Sequence, residues 1–384
     1  MNEVFVEKMI PGGQALGTLE DGRKIFFWGA LPGEIVTNYR ITKKKSHYIE
    51  AVALQIREPS VYRVEPKDEC YLSTSPWQIM DFEYEMEQKG ELVRELFAQN
   101  QIQVETPEVI TDGRVFNYRN KMEYALYYDL AEEKIKLAFH ERGSHRKVPI
   151  NSSSIEREEI FQRAQAIVDE LNANNDEARR YQSMLLRCNM AGEVSGGLFE
   201  NHQPHPVFKN LNDSILGNQY SYSPNGFFQI NLPVYELALL EMKKYIVSDK
   251  VLDLYSGVGT IGLSVARNKN LTLVECNGAA YEESLENIKG LSNVKSVLAK
   301  SEEVLDYIEP ETTVILDPPR AGCDKKLIEK LLEVRPKKII YLSCNPATQA
   351  RDVKMLLEKF EIEAVKTFNF FPRTPHIENL IVLK

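Results

Sequence analysis

Four short stretches in the second half of the chain carry residues able to do chemistry at a carbon atom. "YLSCNPATQARD" sets Cys344 where an apolar run gives way to Asn-Pro and a helix-like segment. "ILDPPRAG" puts Asp317 at the end of another apolar run, and Pro318 and Pro319, which have no amide proton, stiffen the turn that follows. "PRTPHIENLIVL" brings His376 and Glu378 to the start of the last apolar run. "SPNGFFQIN" supplies Gln229, whose amide both donates and accepts. A helix starting near Ala347 points its N-terminal dipole at Cys344 and favours the thiolate. Thiolate and carboxylate together suit covalent catalysis on an unreactive carbon.

A fifth stretch, "DLYSGVGTIGL", indicates what stands opposite the thiol. Gly257, Gly259 and Gly262 form G-x-G-x-x-G at a strand-to-helix turn, where a ligand can approach the backbone. Asp253 lies four residues before the first glycine, and Glu275 ends the next strand, 22 residues after Asp253. An acid at the Glu275 position can take both ribose hydroxyls. A dinucleotide site would set its glycines right after the strand with no acid inside it. Asp253 suits a ligand with a cation or an amine, and S-adenosylmethionine has both and no phosphate. The plainer readings are a loop cap for Asp253 and a solvated strand end for Glu275. A thiolate facing a methyl donor points to uracil. Its addition to C6 makes C5 nucleophilic, and a base must then remove the C5 proton before the cysteine leaves. Glu378 is placed for that proton, and His376 either takes part or is satisfied structurally. Phe227 and Phe228 read as core, and Asn231 as the cap of the helix "LPVYELALLEMKKY".

From Val251 onward, buried strand patterns alternate with helical ones, the mark of a doubly wound, mostly parallel sheet. "EAVKTFNFF" and "ENLIVLK" follow each other without a helix, which predicts a final antiparallel hairpin. Such a sheet binds ligands at the carboxyl ends of its strands, where every motif above falls. Residues 1–57 hold about five short β-prone runs separated by "PGG", "EDGRK" and "LPGE", which predicts a small OB-like barrel. Its "RITKKKSHY" reads either as a solvated hairpin tip or as a phosphate-gripping loop. Residues 58–214 read as a central α+β domain and 215–384 as the catalytic domain. A helix over Pro76–Asn100 is expected, and the segment 77–110 is expected to pack with the catalytic domain.

The 384-residue chain has a net charge of −9, so any nucleic-acid surface must be a local basic face. Its five cysteines include no CxxC pair, which argues against a disulfide framework or structural zinc and for a reducing, cytoplasmic setting. Cys188, Cys276 and Cys323 read as buried thiols. There is no apolar run of about 18 residues, so no membrane partner is expected. Glu3 and Glu7 argue against a signal peptide, and a monomer is the default.

Together "FFQIN", "DLYSGVGTIGL", "DPPRAG", "SCNPATQARD" and "HIEN" resemble, in family order, the S-adenosylmethionine-dependent RNA uracil-C5 methyltransferases of the tRNA/rRNA (uracil-5-) family. The resemblance covers nearly the whole chain. It implies a Rossmann-like class I methyltransferase domain, an N-terminal TRAM-like barrel that binds RNA, and RNA handling by "YRNK" and "FHERGSHRKVPI". It implies Cys344 as nucleophile and Glu378 as proton acceptor. It also implies cofactor contacts from Gln229, Tyr255, Gly257, Gly259, Thr260, Glu275 and Asp317, although Thr260 stands where members often carry Asn. Many barrel-bearing members hold an iron–sulfur cluster on four cysteines. Here only Cys70 is present, in "KDECYLSTSPWQ", and "VPINSSSIER" has serines where a last ligand might stand, so no cluster and no metal is expected. The barrel favours 23S rRNA over tRNA as substrate. The alternatives are an RNA cytosine-C5 methyltransferase, a non-catalytic RNA-binding protein on the same fold and, more distantly, a dehydrogenase.

Overall fold

The computed structural model describes residues 3–174, 180–200, 203–205 and 208–384. In the first strands, inward apolar residues alternate with outward polar ones, and the sheet they form closes on itself. Strands β1 (Val4–Met9), β2 (Ala15–Thr18), β3 (Lys24–Trp28), β4 (Ile35–Lys44) and β5 (Tyr48–Glu58) make a closed barrel in the order β1-β2-β3-β5-β4. Val4, Val6, Ile25, Phe27, Val36 and Ala51 fill it. The barrel is fastened at two places. Arg63 grips the buried Glu34 with two hydrogen bonds of 2.6 and 2.7 Å. The Trp77 indole donates to the Gly13 carbonyl at 2.9 Å. Gly13 has φ +94°, and a Cβ there would lie 2.3 Å from Pro375, so only glycine lets the barrel's first turn rest against the chain just before His376.

After a helical turn, α1 (Tyr71–Thr74), comes α2 (Phe82–Gln99). The helix expected from Pro76 starts only at Phe82. Pro76–Ile79 form a single 3₁₀ turn, and Asp81 caps α2 by accepting from Glu83 and Tyr84. The segment beyond Gln99 is not helical. It leads to a two-residue strand, β6 (Val109–Ile110), which joins the far edge of the catalytic sheet by pairing in parallel with Thr367 and Phe368.

The central region is a six-stranded antiparallel sheet backed by α3 (Glu158–Ala173). Its strands are β7 (Lys121–Asp129), β8 (Lys134–His140), β9 (Lys147–Pro149), β10 (Ser183–Cys188), β11 (Val194–Glu200) and β12 (Gln203–His205). A hairpin, β13 (Leu211–Ile215) and β14 (Asn218–Tyr222), leads to α4 (Leu232–Lys243). The alternating units follow: β15 (Lys250–Leu254), α5 (Thr260–Ala266), β16 (Asn270–Glu275), α6 (Gly278–Asn287), β17 (Val294–Leu298), β18 (Thr312–Leu316), α7 (Lys325–Val334), β19 (Lys338–Ser343), α8 (Pro346–Leu356), β20 (Ile362–Phe368) and β21 (Glu378–Leu383). The sheet order is β17-β16-β15-β18-β19-β21-β20-β6. β15 through β19 are parallel, and β21 is antiparallel to both neighbours. Every residue of β18 and β19 is buried, as a central strand covered on both faces requires. The sequence reading lacked β17, an edge strand whose Lys295 and Ser296 dilute the apolar pattern, and the polar β13–β14 hairpin. Among the described residues no helix is long and apolar enough to cross a membrane.

Helix α2 reaches the catalytic sheet through buried charge. The Lys89 ammonium lies 2.9 Å from the Glu85 carboxylate, and both side chains are fully buried. Lys89 also donates to Asn369 Oδ1 and the Phe371 carbonyl, while Glu85 accepts from the Arg373 amide and Asn369 Nδ2. These bonds hold the strand of chain that leads to His376 and Glu378. Removing one partner leaves the other charge buried and uncompensated. Lys89→Met is therefore expected to cost about 3–5 kcal/mol, read as a shift in the denaturant midpoint. The double variant with Glu85→Gln should recover much of it.

Candidate active site

The glycine turn is shaped by backbone that most residues avoid. Tyr255 (φ 63°), Gly257 (φ 56°) and Gly259 (φ 89°) all lie in the left-handed region. Gly259 caps α5, and a Cβ on it would meet Leu273 at 2.8 Å, whereas one on Gly257 would point into open space. Gly262 packs against Asp253 and donates its amide to Asp253 Oδ2 at 2.8 Å. Glu275 accepts from the Gly257 amide at 2.8 Å and the Asn277 amide at 2.6 Å, tying the turn to the end of β16. Thr260 opens α5 and is buried. The Tyr255 hydroxyl faces Ser301 and the backbone of Asp324. The Asp253 carboxylate thus does cap its own loop, but through one oxygen only. Its Oδ1 is buried without a partner.

The cleft at these strand ends collects carboxyl groups. Burial pushes Asp253 up to about 8, with Asp317 and Glu275 adding to the rise against the Gly262 hydrogen bond. Burial alone pushes Asp317 up to about 7. Glu378, the first residue of β21, is only 4% exposed. Burial and then Asp317 raise its pKa well above the carboxylate range, opposed by Arg320. Cys344 follows β19 directly and is half-buried. Its thiol is pushed up to about 11, by burial first and then by Glu378 and Asp317, with Arg320 opposing. This corrects the expectation of a thiolate stabilised by the helix dipole. In the ligand-free cleft, desolvation and two carboxyl groups outweigh the N-terminus of α8.

Three loops bring these groups together, and side chains staple the loops to one another. Asn345 Nδ2 and Thr348 Oγ1 both donate to the Arg320 carbonyl, at 2.8 and 3.1 Å. The buried Asp352 accepts from the Cys323 amide and the Tyr341 hydroxyl. Gln349 on α8 and Asn379 beside Glu378 exchange two hydrogen bonds, of 3.0 and 2.7 Å. The chain segments bearing Cys344 and Glu378 are thereby bolted together. Sequence reasoning missed Gln349 and Asn379. Their only signal was an amide inside an otherwise apolar pattern. His376 Nδ1 accepts from Arg320 Nη2 at 3.0 Å, which makes it a neutral imidazole. Burial, then Arg320, Lys89, Arg119 and Arg142, push its pKa down to about 4.

Gln229 is buried on a loop held from outside the catalytic sheet. Asn120 Nδ2 donates to the Gln229 carbonyl at 3.0 Å, Arg187 to the Phe228 carbonyl at 2.8 Å, and Lys121 to the carbonyls of Asn225 and Gly226. Three further expectations are corrected here. Phe228 is core, stacked on Tyr222 at 3.8 Å, but Phe227 is 74% exposed because the turn points it outward. Asn231 occupies the N-cap position just before α4 but makes no side-chain cap: its Nδ2 donates to the Phe370 carbonyl, and its Oδ1 is buried without a partner. Cys276 is exposed, because it lies one residue past the end of β16. Cys70 is buried, with its Sγ 3.9 Å from the Ser152 carbonyl. Beside it Asp68 accepts from Gln78 and Ser154, and no metal-ligating cluster occurs among the described residues.

A parallel sheet ending in an antiparallel strand, a glycine turn after its central strand and an acid at the end of the next define a Rossmann-like class I methyltransferase domain. Comparison with known proteins narrows this. Residues 211–384 match the tRNA (uracil-5-)-methyltransferase family model. An RNA methyltransferase from Bacillus anthracis is 26% identical over 99% of this chain and 96% of its own length. One from Lactobacillus johnsonii is 28% identical over 97% and 96%. The crystal structure of the Pyrococcus abyssi tRNA (uracil-54, C5)-methyltransferase, in complex with S-adenosyl-L-homocysteine, superposes with a TM-score of 0.78 at 25% identity and covers all of both chains. The similarity to the tRNA (uracil-5-)-methyltransferase family thus lies in residues 211–384, and the similarity to RNA methyltransferases runs over nearly the whole chain.

The raised acids make the empty cleft sensitive to pH. Asp317 has a folded pKa of about 7 against an unfolded value near 4. Its contribution to stability is fully present below about pH 4 and is lost as pH rises through about 7. Asp317→Asn removes that loss. Relative to the natural protein, the variant's melting temperature should therefore climb by a few degrees between acid and mildly alkaline pH. A pH-independent difference would show that Asp317 ionises freely.

Proposed function

We propose that the protein transfers a methyl group from S-adenosylmethionine to C5 of a uridine in RNA, with Cys344 as the covalent nucleophile. The observation that carries this reading is the convergence of Cys344, Glu378, Asp317 and Arg320 at the open end of the sheet, beside a buried Asp253 oxygen that lacks a partner. A cleft with several raised carboxyl groups and one facing cation fits a ligand that brings positive charge. Asp253, Asp317 and Glu275 would hold the cofactor at the glycine turn, with Gln229 and Tyr255 flanking it. S-adenosylmethionine supplies an electrophilic methyl group on a sulfonium.

The chain's own residues account for the rest. The Cys344 sulfur adds to uracil C6, giving up its proton, and the electron pair of the C5–C6 bond moves onto C5 and O4. Arg320 stabilises negative charge that develops in the cleft. Once C5 has its methyl group, Glu378 takes the C5 proton, and the C6–sulfur bond breaks as the double bond re-forms. A carboxyl group in a dry pocket is a stronger base than one in water once ionised, which suits removal of a carbon-bound proton. The base must be turned out of its stack for both ring carbons to be reached. We keep with this reading a monomer acting in the cytoplasm.

The barrel supports 23S rRNA as substrate. The archaeal neighbour that covers the whole chain, barrel included, is named for uracil 54 of tRNA, which supports tRNA. Mapping 5-methyluridine in both RNAs, with and without the protein, separates the two. Cys344→Ala is expected to abolish methyl transfer while RNA binding persists. Glu378→Gln should slow turnover by about 100- to 10,000-fold and accumulate a methylated protein–RNA adduct that survives denaturing electrophoresis. Methylation by Cys344→Ala at the natural rate would sink the covalent route.

A further inference from the structure

Where the barrel meets the central domain, one cation lacks an anion. Arg142, in the loop after β8, stacks on the Trp28 ring of the barrel with its guanidinium carbon 4.4 Å from the ring centroid. Its Nε donates to the Leu72 carbonyl at 2.6 Å. Among the described residues no carboxylate pairs with it. The adjacent Glu141 is already shared between Arg40 at 3.0 Å and Arg146 at 2.8 Å. Arg40 and Arg146 thus share one carboxylate next to Arg142, in a chain whose total charge is −9. Burial is the sole influence on the Arg142 pKa and lowers it, as expected for a cation held without a counterion. Stacking and one backbone hydrogen bond offset only part of the desolvation, so the fold retains a cation that is incomplete by itself. The seam also lies close to the cleft, because the charges of Arg142 and Arg119 both reach His376.

We propose that Arg142, held flat by Trp28, grips a backbone phosphate of the RNA substrate as the strand passes from the barrel to the Cys344 cleft. A guanidinium with one edge on a carbonyl and one face on an aromatic ring presents its remaining N–H groups in a fixed fork, the geometry that matches phosphate oxygens. A polyanion satisfies the Arg40, Arg142 and Arg146 excess where a lone carboxylate does not. The inference rests on the reading of the substrate as RNA, and it makes the barrel-to-domain seam part of the binding path.

The test is the salt dependence of binding, with unfractionated tRNA and 23S rRNA fragments as probes. Arg142→Met is expected to weaken binding and to flatten the plot of log affinity against log salt by about 0.7–0.9, the release of one phosphate's counterions. Arg142→Lys keeps the charge and should keep the slope. Should the Met variant fail to fold, Arg142→Gln is read in the same way. An unchanged slope in a folded variant, whatever its melting temperature, overturns the proposal and leaves Arg142 a packing residue. The measurement needs no turnover. A flattened slope in a protein that makes no 5-methyluridine would sink the catalytic reading alone, and an unchanged slope in an active enzyme would sink this one alone.

Discussion

Carboxyl groups held out of water are the constraint on which the rest of this structure depends. Asp317 and Glu378 stand near the Cys344 thiol with Arg320 as the facing cation, Asp253 lies at a neighbouring strand end, and each acid has its ionisation opposed by burial. Burying such groups is costly, so the backbone carrying them must be fixed. The polar bonds concentrated there do that fixing. The Gln349–Asn379 pair, the clamps on the Arg320 carbonyl and the buried Asp352 join three strand-end loops that the parallel sheet alone would leave independent.

The same constraint explains why the catalytic domain is not built from one continuous stretch of chain. The loop before Glu378 is held by Glu85 and Lys89, nearly 300 residues upstream, and by the barrel turn at Gly13 pressing on Pro375. The Gln229 loop is held by Asn120, Lys121 and Arg187 from the central sheet. Each non-catalytic region therefore contributes a buttress to the cleft. Lys121 and Arg187 sit directly opposite each other on β7 and β10, and burial lowers both pKa values, to about 8 and about 10. Like charges so placed are unfavourable, and the loop carbonyls are what accommodates them. The Gln229 loop is thus shaped by a pair of cations that needs its oxygens.

Much of the cleft was legible in the sequence because strand ends in an alternating fold are ligand positions by topology, and Cys344, Asp317 and Glu275 are readable as strand ends from apolar runs alone. Glu378 was readable as the opening of the last run. What escaped was set by tertiary contacts. Phe227 and Phe228 are adjacent and identical, and only the turn decides that one stacks on Tyr222 while the other faces solvent. Asn231 is a residue type suited to capping, but its side chain is turned so that Nδ2 donates to the Phe370 carbonyl and Oδ1 meets no helix N–H. β17 and the β13–β14 hairpin have polar faces and gave no period to read. The break at Asp81 was visible as a capping residue, yet the apolar period on both sides concealed it.

If Cys344 is the nucleophile, as proposed above, its raised pKa bears on when the sulfur can react. A cysteine whose pKa is depressed by a helix terminus is a thiolate at all times, open to oxidation and to stray electrophiles. Cys344 is pushed up to about 11, by burial first and by Glu378 and Asp317 second, which favours the thiol in the empty cleft. The part of that rise that comes from Glu378 and Asp317 falls when positive charge enters beside them, while the part that comes from burial remains. On the proposed reading, occupancy of the cleft would then ease ionisation of the sulfur.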